Sequence, residues 1–283
     1  MADSIRLAVI IVAAGRSERY AAAASAGGGP VDKLAQDLGG RAVLLHAVER
    51  FSRRAETRGI VVVGPPEEAD GGDALAAFRE RYGATLGFHG ATIVAGSATS
   101  RAESARRGFD AIADDATHVA VHDAARPGVP EELLERLLLA ASARSAVVPG
   151  LPVHGTVKRT GPAETVGEEA DDDPLADLVL GDAGRTTVDV HPVIETVDRT
   201  GLFEIQTPQV FAVELLRRAY AQDGIEDSTD DATLVERLGE EVVVVEGDPR
   251  AMKITTPADL ALLRALLAPG TAPALDRPVG RAF

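Results

Sequence analysis

The 283-residue chain has no cysteine and no tryptophan. Without cysteine it forms no disulfide bond and offers no thiolate ligand to a metal ion, which fits a protein of the reducing cytoplasm. Aromatic residues make up only 4% of the chain. This scarcity argues against a base-stacking surface for single-stranded nucleic acid.

Positive charge is also scarce. The chain has 44 acidic and 29 basic residues, which gives a net charge of -15. A molecule of this charge is not attracted as a whole to a nucleic-acid backbone or to an anionic membrane. We therefore expect no nucleic-acid partner and no membrane partner. Any anionic ligand must be held by a local cluster of basic residues.

Lysine is rare, with only Lys33, Lys158 and Lys253 among the 29 basic side chains. Lysine carries a compact point charge, whereas arginine carries a planar fork of donors. A phosphate oxygen whose charge grows during a reaction favours the compact charge. Compositional chance is the alternative explanation. Each of the three lysines follows a predicted strand, and this location favours a functional explanation over chance.

Long hydrophobic runs and several familiar motifs are missing. The apolar run at residues 7–14 is far shorter than a membrane span, and a buried β-strand is favoured there over the core of a signal peptide. The chain has no G-x-x-x-x-G-K-[ST], no G-x-G-x-x-G after the first strand, and no H-E-x-x-H. A P-loop and a site of the H-E-x-x-H metalloenzyme type are thereby excluded, and a dinucleotide-binding fingerprint is disfavoured.

Short apolar, β-branched runs alternate with amphipathic stretches along most of the chain. The predicted strands are 7–12, 60–63, 92–95, 118–122, 146–151 and 241–246, and the predicted helices are 44–53, 73–82, 101–113, 131–143, 214–221, 230–238 and 256–267. This alternation is typical of an α/β fold with a doubly wound, mostly parallel, Rossmann-like sheet. Ligands of such sheets bind at the carboxyl ends of the strands.

The alternation stops between residues 155 and 201. Residues 161–184 contain eight acidic residues and no basic one, which predicts a solvated insertion. A calcium site is the alternative, but the aspartates at 171–173 lack the alternating ligands and the glycine of an EF-hand loop. Residues 269–283 are rich in proline, glycine and alanine, and a flexible tail is predicted for them.

Asp123 and Arg126 stand at the end of the fourth predicted strand, within the sequence VHDAARP. One interpretation is structural, with Asp123 capping the next helix and Arg126 as its ion-pair partner. In the functional interpretation, the carboxylate accepts hydrogen bonds from a polyol or binds a metal, and the guanidinium holds a phosphate through two hydrogen bonds. The position at the binding edge of the sheet makes this pair a candidate for the functional site.

Several motifs, taken in order, resemble one enzyme family. The opening AAGRSER at 13–19 is similar to the signature of nucleotidyltransferases that activate sugar or polyol phosphates. With VHDAARP at 121–127, SRAES at 100–104, TVDRTGL at 196–202, QTPQ at 206–209 and KIT at 253–255, the chain resembles the 2-C-methyl-D-erythritol 4-phosphate cytidylyltransferases from about residue 7 to residue 267. The resemblance implies cytidylyl transfer from CTP to that polyol phosphate, with release of pyrophosphate, in the non-mevalonate route to isoprenoid precursors.

The resemblance also implies roles for individual residues. The cations expected to act on the reacting phosphates are Arg19, Lys33, Arg199 and Lys253. The residues expected to hold the nucleotide are Ala13, Ala14, Gly15, Gly96, Arg101 and Ser104. Those expected to surround the polyol phosphate are Asp123, Arg126, Thr156, Thr207 and Thr229. No side-chain metal ligand is implied, and Mg²⁺ is expected to be bound mainly through the CTP phosphates.

The expected organisation is a single catalytic domain over 1–268, with a protruding β-arm at about 155–200 that the acidic insertion 161–184 lengthens. In the family this arm carries Arg199 into the neighbouring subunit, so a homodimer with shared active sites is expected.

One departure concerns the loop 16–33, where residues 21–29 are inserted and Asp32 replaces the usual proline. This places a carboxylate beside Lys33. Two alternative functions remain. One is a pentitol-phosphate cytidylyltransferase, and the other is a non-catalytic regulatory module that binds CTP.

Overall fold

The computed structural model describes residues 4–15, 17–24, 32–67, 74–167 and 187–268. The strands are β1 (Leu7–Val12), β2 (Thr57–Gly64), β3 (Ala91–Ala95), β4 (His118–Asp123), β5 (Ala146–Pro152), β6 (Val157–Thr160), β7 (Glu164–Gly167), β8 (Thr187–Val190), β9 (Val193–Val197), β10 (Phe203–Ile205), β11 (Gln209–Ala212) and β12 (Val243–Glu246). The helices are α1 (Glu18–Ala24), α2 (Val43–Ser52), α3 (Ala74–Phe88), α4 (Arg101–Phe109), α5 (Glu131–Ala141), α6 (Val213–Tyr220), α7 (Asp231–Arg237) and α8 (Pro257–Leu267).

An eight-stranded sheet organises the chain. Its strand order is β10-β5-β11-β4-β1-β2-β3, with β12 also paired to β5. β1 is parallel to both β2 and β4, β2 is parallel to β3, and β12 is parallel to β5, whereas β11 runs antiparallel to β4 and β5. The strand order reverses between β1 and β4, as in doubly wound folds. The predicted fold class, a mostly parallel α/β sheet, is confirmed.

β1 lies at the centre of this sheet, and all six of its residues, LAVIIV, are apolar. Successive side chains of a strand point to opposite faces, and a parallel strand is covered on both. Val9 and Ile11 belong to one core, which also includes residues of α2, α3, α5 and α8, while Ala8 and Ile10 belong to a second core with residues of α4, α6 and α7. Both cores therefore depend on a strand whose continuous apolar sequence predicted its burial.

The chain folds into two compact units, Met1–Leu151 with Ile205–Phe283, and Pro152–Glu204. Within the smaller unit, β6 pairs with β9 and β7 pairs with β8, both antiparallel. The segment predicted as an arm falls in this unit. The sequence did not predict these strands because their side chains are largely exposed and mix apolar with polar residues, as in TVDV of β8.

The acidic insertion begins just before β7, whose four residues are exposed. Residues 168–184 of the insertion and the tail 269–283 lie outside the described residues. None of the helices in the described ranges combines the length and apolarity needed to cross a bilayer.

Element boundaries follow local signals in most places. The predicted start of the last helix is confirmed. Thr256 accepts a hydrogen bond from the Asp259 backbone, the Asp259 carboxylate accepts one from the Thr256 backbone, and Pro257 occupies the first turn. Three helices differ clearly from expectation. α4 ends at Phe109, four residues before its predicted end at residue 113. α1 forms in the alanine-rich ERYAAAA, which was expected to be loop, and α3 continues to Phe88, beyond the predicted end at residue 82.

Candidate active site

A cleft of about 510 Å³ opens where β1 and β4 end. Its wall includes nine of the residues that the sequence singled out, namely Ala13, Ala14, Gly15, Arg19, Lys33, Arg101, Ser104, Asp123 and Lys253. They come from five separate parts of the chain. The fold brings them together because the carboxyl ends of parallel strands share one edge of the sheet.

Asp123, the last residue of β4, lies at the base of a cation cluster. Its Oδ1 is 3.0 Å from Arg101 Nε, and its Oδ2 is 2.9 Å from Lys253 Nζ and 3.6 Å from Arg126 Nε. Burial alone would raise the pKa of this carboxyl, but Arg101, Lys253 and Arg126 lower it well below its usual value. Asp123 is therefore ionised, and it holds Arg101 and Lys253 against the cleft.

Arg101 bridges two carboxylates. Besides Asp123, its guanidinium donates to Asp231 Oδ2 at 2.7 Å, and Tyr220 Oη donates to the other oxygen of Asp231 at 2.7 Å. Asp231 is fully buried. Burial would lower the pKa of Arg101, but Asp231 and Asp123 raise it, so the guanidinium stays charged. Asp231 was not predicted from the sequence, where the acidic pair that follows Thr229 is its only local signal.

Asp32, the unusual carboxylate beside Lys33, has a structural role in the altered loop. Asp32 Oδ1 accepts a hydrogen bond from Leu34 N at 2.9 Å and caps the short 3-10 turn Lys33–Ala35. The pKa of Lys33 is below its usual value. Burial and the positive charge of Lys253 lower this pKa, and the carboxylates of Asp123 and Asp32 offset only part of the effect. The carboxylate of Asp32 thus stabilises the turn that presents Lys33 to the cleft.

Arg19 lies in the first turn of α1 rather than in a loop, and its exposed side chain lines the same cleft. Ser17, immediately before this helix, has a φ of 56°, a left-handed conformation that is uncommon outside glycine. Arg16 lies outside the described residues. α1 therefore sets the position of the Arg19 side chain on the wall of the cleft.

Ala14 and Ser104 lie on the wall of the cleft, and Gly96 packs closely against both without lining the cleft itself. A Cβ at Gly96 would stand 2.5 Å from the Gly64 carbonyl oxygen and 2.6 Å from Ala14 Cβ, so only glycine fits. The Ser104 hydroxyl accepts from Ser97 N at 3.0 Å and donates to the Ser100 carbonyl at 3.0 Å. These contacts set the backbone of the turn before α4, which together with 13–15 shapes one side of the cleft.

The remaining predicted residues do not line this cleft, although Arg126 and Thr207 both contact Asp123 at its base. Arg126 is buried and donates to the Ala251 carbonyl at 2.9 Å, and Thr207 is buried beneath Asp123. Thr229 lines a second cavity of about 440 Å³. Thr156 and Arg199 belong to the smaller unit, where both are exposed and Arg199 donates to the His154 carbonyl.

The donor set of the cleft bears on the expected magnesium ion. Among the described residues, His, Asp and Glu side chains form no group of three able to hold a metal. The carboxylates on the wall are Glu18 and Asp123, and Asp123 is already paired with cations. Such a site fits Mg²⁺ that is bound by nucleotide phosphates and water, since this ion usually takes few protein ligands.

A doubly wound sheet with a cationic cleft at the reversal of its strand order defines a nucleotide-binding α/β protein of the nucleotidyltransferase class. The model of the family described as "IspD: 2-C-methyl-D-erythritol 4-phosphate cytidylyltransferase" matches residues 7–180 and 175–269. The chain belongs to this family.

Individual relatives agree with the family assignment. The chain is 41% identical over 237 residues to the 2-C-methyl-D-erythritol 4-phosphate cytidylyltransferase of Rhodococcus opacus, covering 83% of this chain and 86% of that protein. It is 38% identical over 272 residues to the enzyme of the same name from Frankia casuarinae, covering 94% and 82%. The crystal structure of the Thermus thermophilus enzyme superposes with a TM-score of 0.61 at 30% identity, covering 93% of this chain and 98% of that one.

Proposed function

We propose that this cleft transfers the cytidylyl group of CTP to 2-C-methyl-D-erythritol 4-phosphate, giving 4-diphosphocytidyl-2-C-methyl-D-erythritol and pyrophosphate for isoprenoid precursor synthesis. The chain is a cytidylyltransferase by family. The observation that carries the substrate assignment is the cluster of Arg101, Arg126 and Lys253 around Asp123, with Lys33 and Arg19 on the same cleft. In a chain of net charge -15, such a concentration of cations serves two anionic substrates.

The chemistry requires no side-chain nucleophile. An oxygen of the polyol phosphate attacks the α-phosphorus of CTP in line, the new P–O bond forms, and the bond to the bridging oxygen of the β-phosphate breaks. Positioning and electrostatic stabilisation then carry the catalysis. Lys253, fixed by Asp123, neutralises the attacking phosphate, while Lys33 and Arg19 stabilise charge on the triphosphate. Mg²⁺, bound through the CTP phosphates, supplies further charge neutralisation.

A homodimer with shared sites completes the proposal. It is supported by exposed apolar side chains on the strands of the smaller unit, which are Val166, Val188, Val190, Val193 and Ile194. Side chains of this kind on a small unit mark an interaction surface. Arg199 of this unit then acts in the neighbouring subunit, where it clamps the polyol phosphate. The absence of cysteine supports a cytoplasmic location.

Pyrophosphate release tests the proposed reaction. The protein is incubated with Mg²⁺, CTP and either 2-C-methyl-D-erythritol 4-phosphate or a pentitol phosphate, with ATP, GTP and UTP as controls for the base. Release with CTP and the methylerythritol phosphate is expected. Release with the pentitol phosphate alone would establish the alternative cytidylyltransferase. CTP binding without any release would establish the regulatory module instead.

A further inference from the structure

The segment 206–209, with sequence QTPQ, carries three polar side chains that are almost fully buried. Gln206, Thr207 and Gln209 are 2%, 4% and 1% exposed. A buried polar group is costly unless it is hydrogen-bonded. Each of these three is hydrogen-bonded, and each one bonds to a different segment that carries a charged residue of the active-site cluster.

Thr207 holds the end of β4. Its Oγ1 accepts a hydrogen bond from the Asp123 backbone N–H at 3.0 Å and lies 2.9 Å from His122 Nδ1. His122 Nε2 lies 3.1 Å from the Arg126 carbonyl, which can only accept, so Nε2 carries the proton of the neutral ring. Nδ1 is therefore an acceptor, and the Thr207 hydroxyl donates to it. Because this hydroxyl donates to His122 and accepts from Asp123, it has no proton left to give a substrate.

Gln206 holds the segment that leads to Lys253. Its amide donates to the Asp248 carbonyl at 2.9 Å and accepts from the Asp248 N–H at 3.0 Å. The amide packs closely against the backbone of Gly247, where a Cβ would stand 2.5 Å from Gln206 Oε1. Asp248 caps the turn Pro249–Ala251, and Lys253 comes two residues after the end of this turn.

Gln209 holds the start of α7. Its Nε2 donates to Asp230 Oδ2 at 2.7 Å, and its Oε1 accepts from Ala232 N at 3.1 Å. Asp231, the carboxylate that pairs with Arg101, lies between these two contacts. All three side chains of the segment therefore bond to the backbone or to neighbours of the residues that form the Asp123, Arg101 and Lys253 cluster.

We infer that 206–209 is a positioning clamp for the reaction, and that Thr207 acts through Asp123 rather than by touching the polyol phosphate. The inference rests on the proposed function for its kinetic consequences. A clamp of this kind sets the placement of Lys253 and Arg101, and a small displacement of such groups lowers the rate more than the binding of substrate.

The test compares Thr207→Val with Thr207→Ser. We expect Thr207→Val to lower kcat about tenfold with KM for both substrates within about threefold, and Thr207→Ser to restore kcat because it keeps the hydroxyl. Thr117→Val is the matched control. The Thr117 hydroxyl also accepts a backbone N–H, from Arg6 at 3.0 Å, and lies 3.0 Å from a histidine Nδ1, that of His118, but at the opposite end of β4. Its kcat should equal that of the unaltered protein.

A double-mutant cycle separates the two roles of Thr207. If it acts through Asp123, Thr207→Val adds little to the loss already caused by Asp123→Asn, whereas independent substrate contacts give additive losses. A raised KM for the polyol phosphate at unchanged kcat, or additive losses, would overturn the inference.

A measurement without turnover keeps the inference distinct from the proposed function. Thr207→Val should shift the carboxyl ¹³C resonance of Asp123, Thr207→Ser should leave it in place, and Thr117→Val should not move it. An unaltered protein that releases no pyrophosphate overturns the proposed reaction. An unshifted Asp123 resonance in Thr207→Val overturns the clamp.

Discussion

At the scale of single residues, Lys253 has the most clearly defined proposed role, which is to neutralise the attacking phosphate. Its Nζ is fixed 2.9 Å from Asp123 Oδ2 and faces the cleft, so it offers a preorganised positive charge. We expect Lys253→Ala to lower kcat about a hundredfold, equivalent to about 3 kcal/mol, as for the loss of an oxyanion donor. Pyrophosphate release measures this. Arg144→Ala, a change at an exposed arginine outside the cleft, is the control, and unchanged turnover in Lys253→Ala would refute the assignment.

Substitution of Asp32 tests whether this unusual carboxylate strengthens or weakens the binding of CTP. Asp32→Ala removes the cap of the Lys33–Ala35 turn, and we expect KM for CTP to rise about threefold to tenfold. Asp32→Asn keeps an oxygen that can accept from Leu34 N–H, so its KM should stay within about twofold of the unaltered value. Steady-state kinetics at varied CTP decide this. A lower KM in both variants would mean that the negative charge of Asp32 opposes the triphosphate.

The buried imidazole of His122 predicts a dependence of stability on pH. Burial lowers its pKa from 6.5 to about 4, with a further lowering by Arg126. The unfolded chain then binds the proton more readily than the folded one. The stabilising contribution is complete above pH 6.5 and is lost as the pH falls towards 4.

Between pH 7 and pH 5 this group should cost the protein about 2 kcal/mol of unfolding free energy. Urea unfolding at the two pH values measures the loss. In His122→Asn the loss should be smaller by that amount, although His118, whose pKa burial also lowers, still contributes. An equal loss in the variant and in the unaltered protein would contradict the shifted pKa.

At the scale of elements, the turn after β3 depends on close approach. Gly96→Ala places a methyl group against the Gly64 carbonyl and Ala14 Cβ, which are rigid, so we expect a destabilisation of about 1–3 kcal/mol and weaker CTP binding. Gly83→Ala is the matched control. Gly83 lies within α3, and a Cβ there would meet nothing within 4 Å.

Gly83→Ala should instead stabilise the protein by about 0.4–1 kcal/mol, because alanine loses less backbone entropy in a helix. Thermal unfolding and CTP titration measure both changes. Equal stability of the two variants would show that the backbone around Gly96 shifts enough to admit a methyl group.

At the scale of the whole molecule, the proposed shared site makes a prediction about mixtures. Lys253→Ala and Arg199→Ala should each have little activity alone. If Arg199 acts in the neighbouring subunit, a mixed dimer holds one site with both residues intact, and random exchange should restore about a quarter of the unaltered activity. Refolding the two variants together, and separately as the control, measures this. No recovery in the mixture would place Arg199 and Lys253 in the same chain's site.

The sequence alone determined the central elements, and it predicted several of the charged residues that line the cleft. β1 was predicted at its observed bounds, Leu7–Val12, because an apolar run of strand length is a local signal. Asp123, Lys253 and Lys33 were identified from their positions after strands, and all three line the cleft.

Only the tertiary structure decided which charges meet. Lys253 and Asp123 are 130 positions apart, as are Asp231 and Arg101, and both pairs are in contact. It also gave Asp32 a capping role and buried Thr207 beneath Asp123. Hydrophobic periodicity reports the burial of one segment at a time, whereas these contacts depend on how distant loops converge at one edge of the sheet.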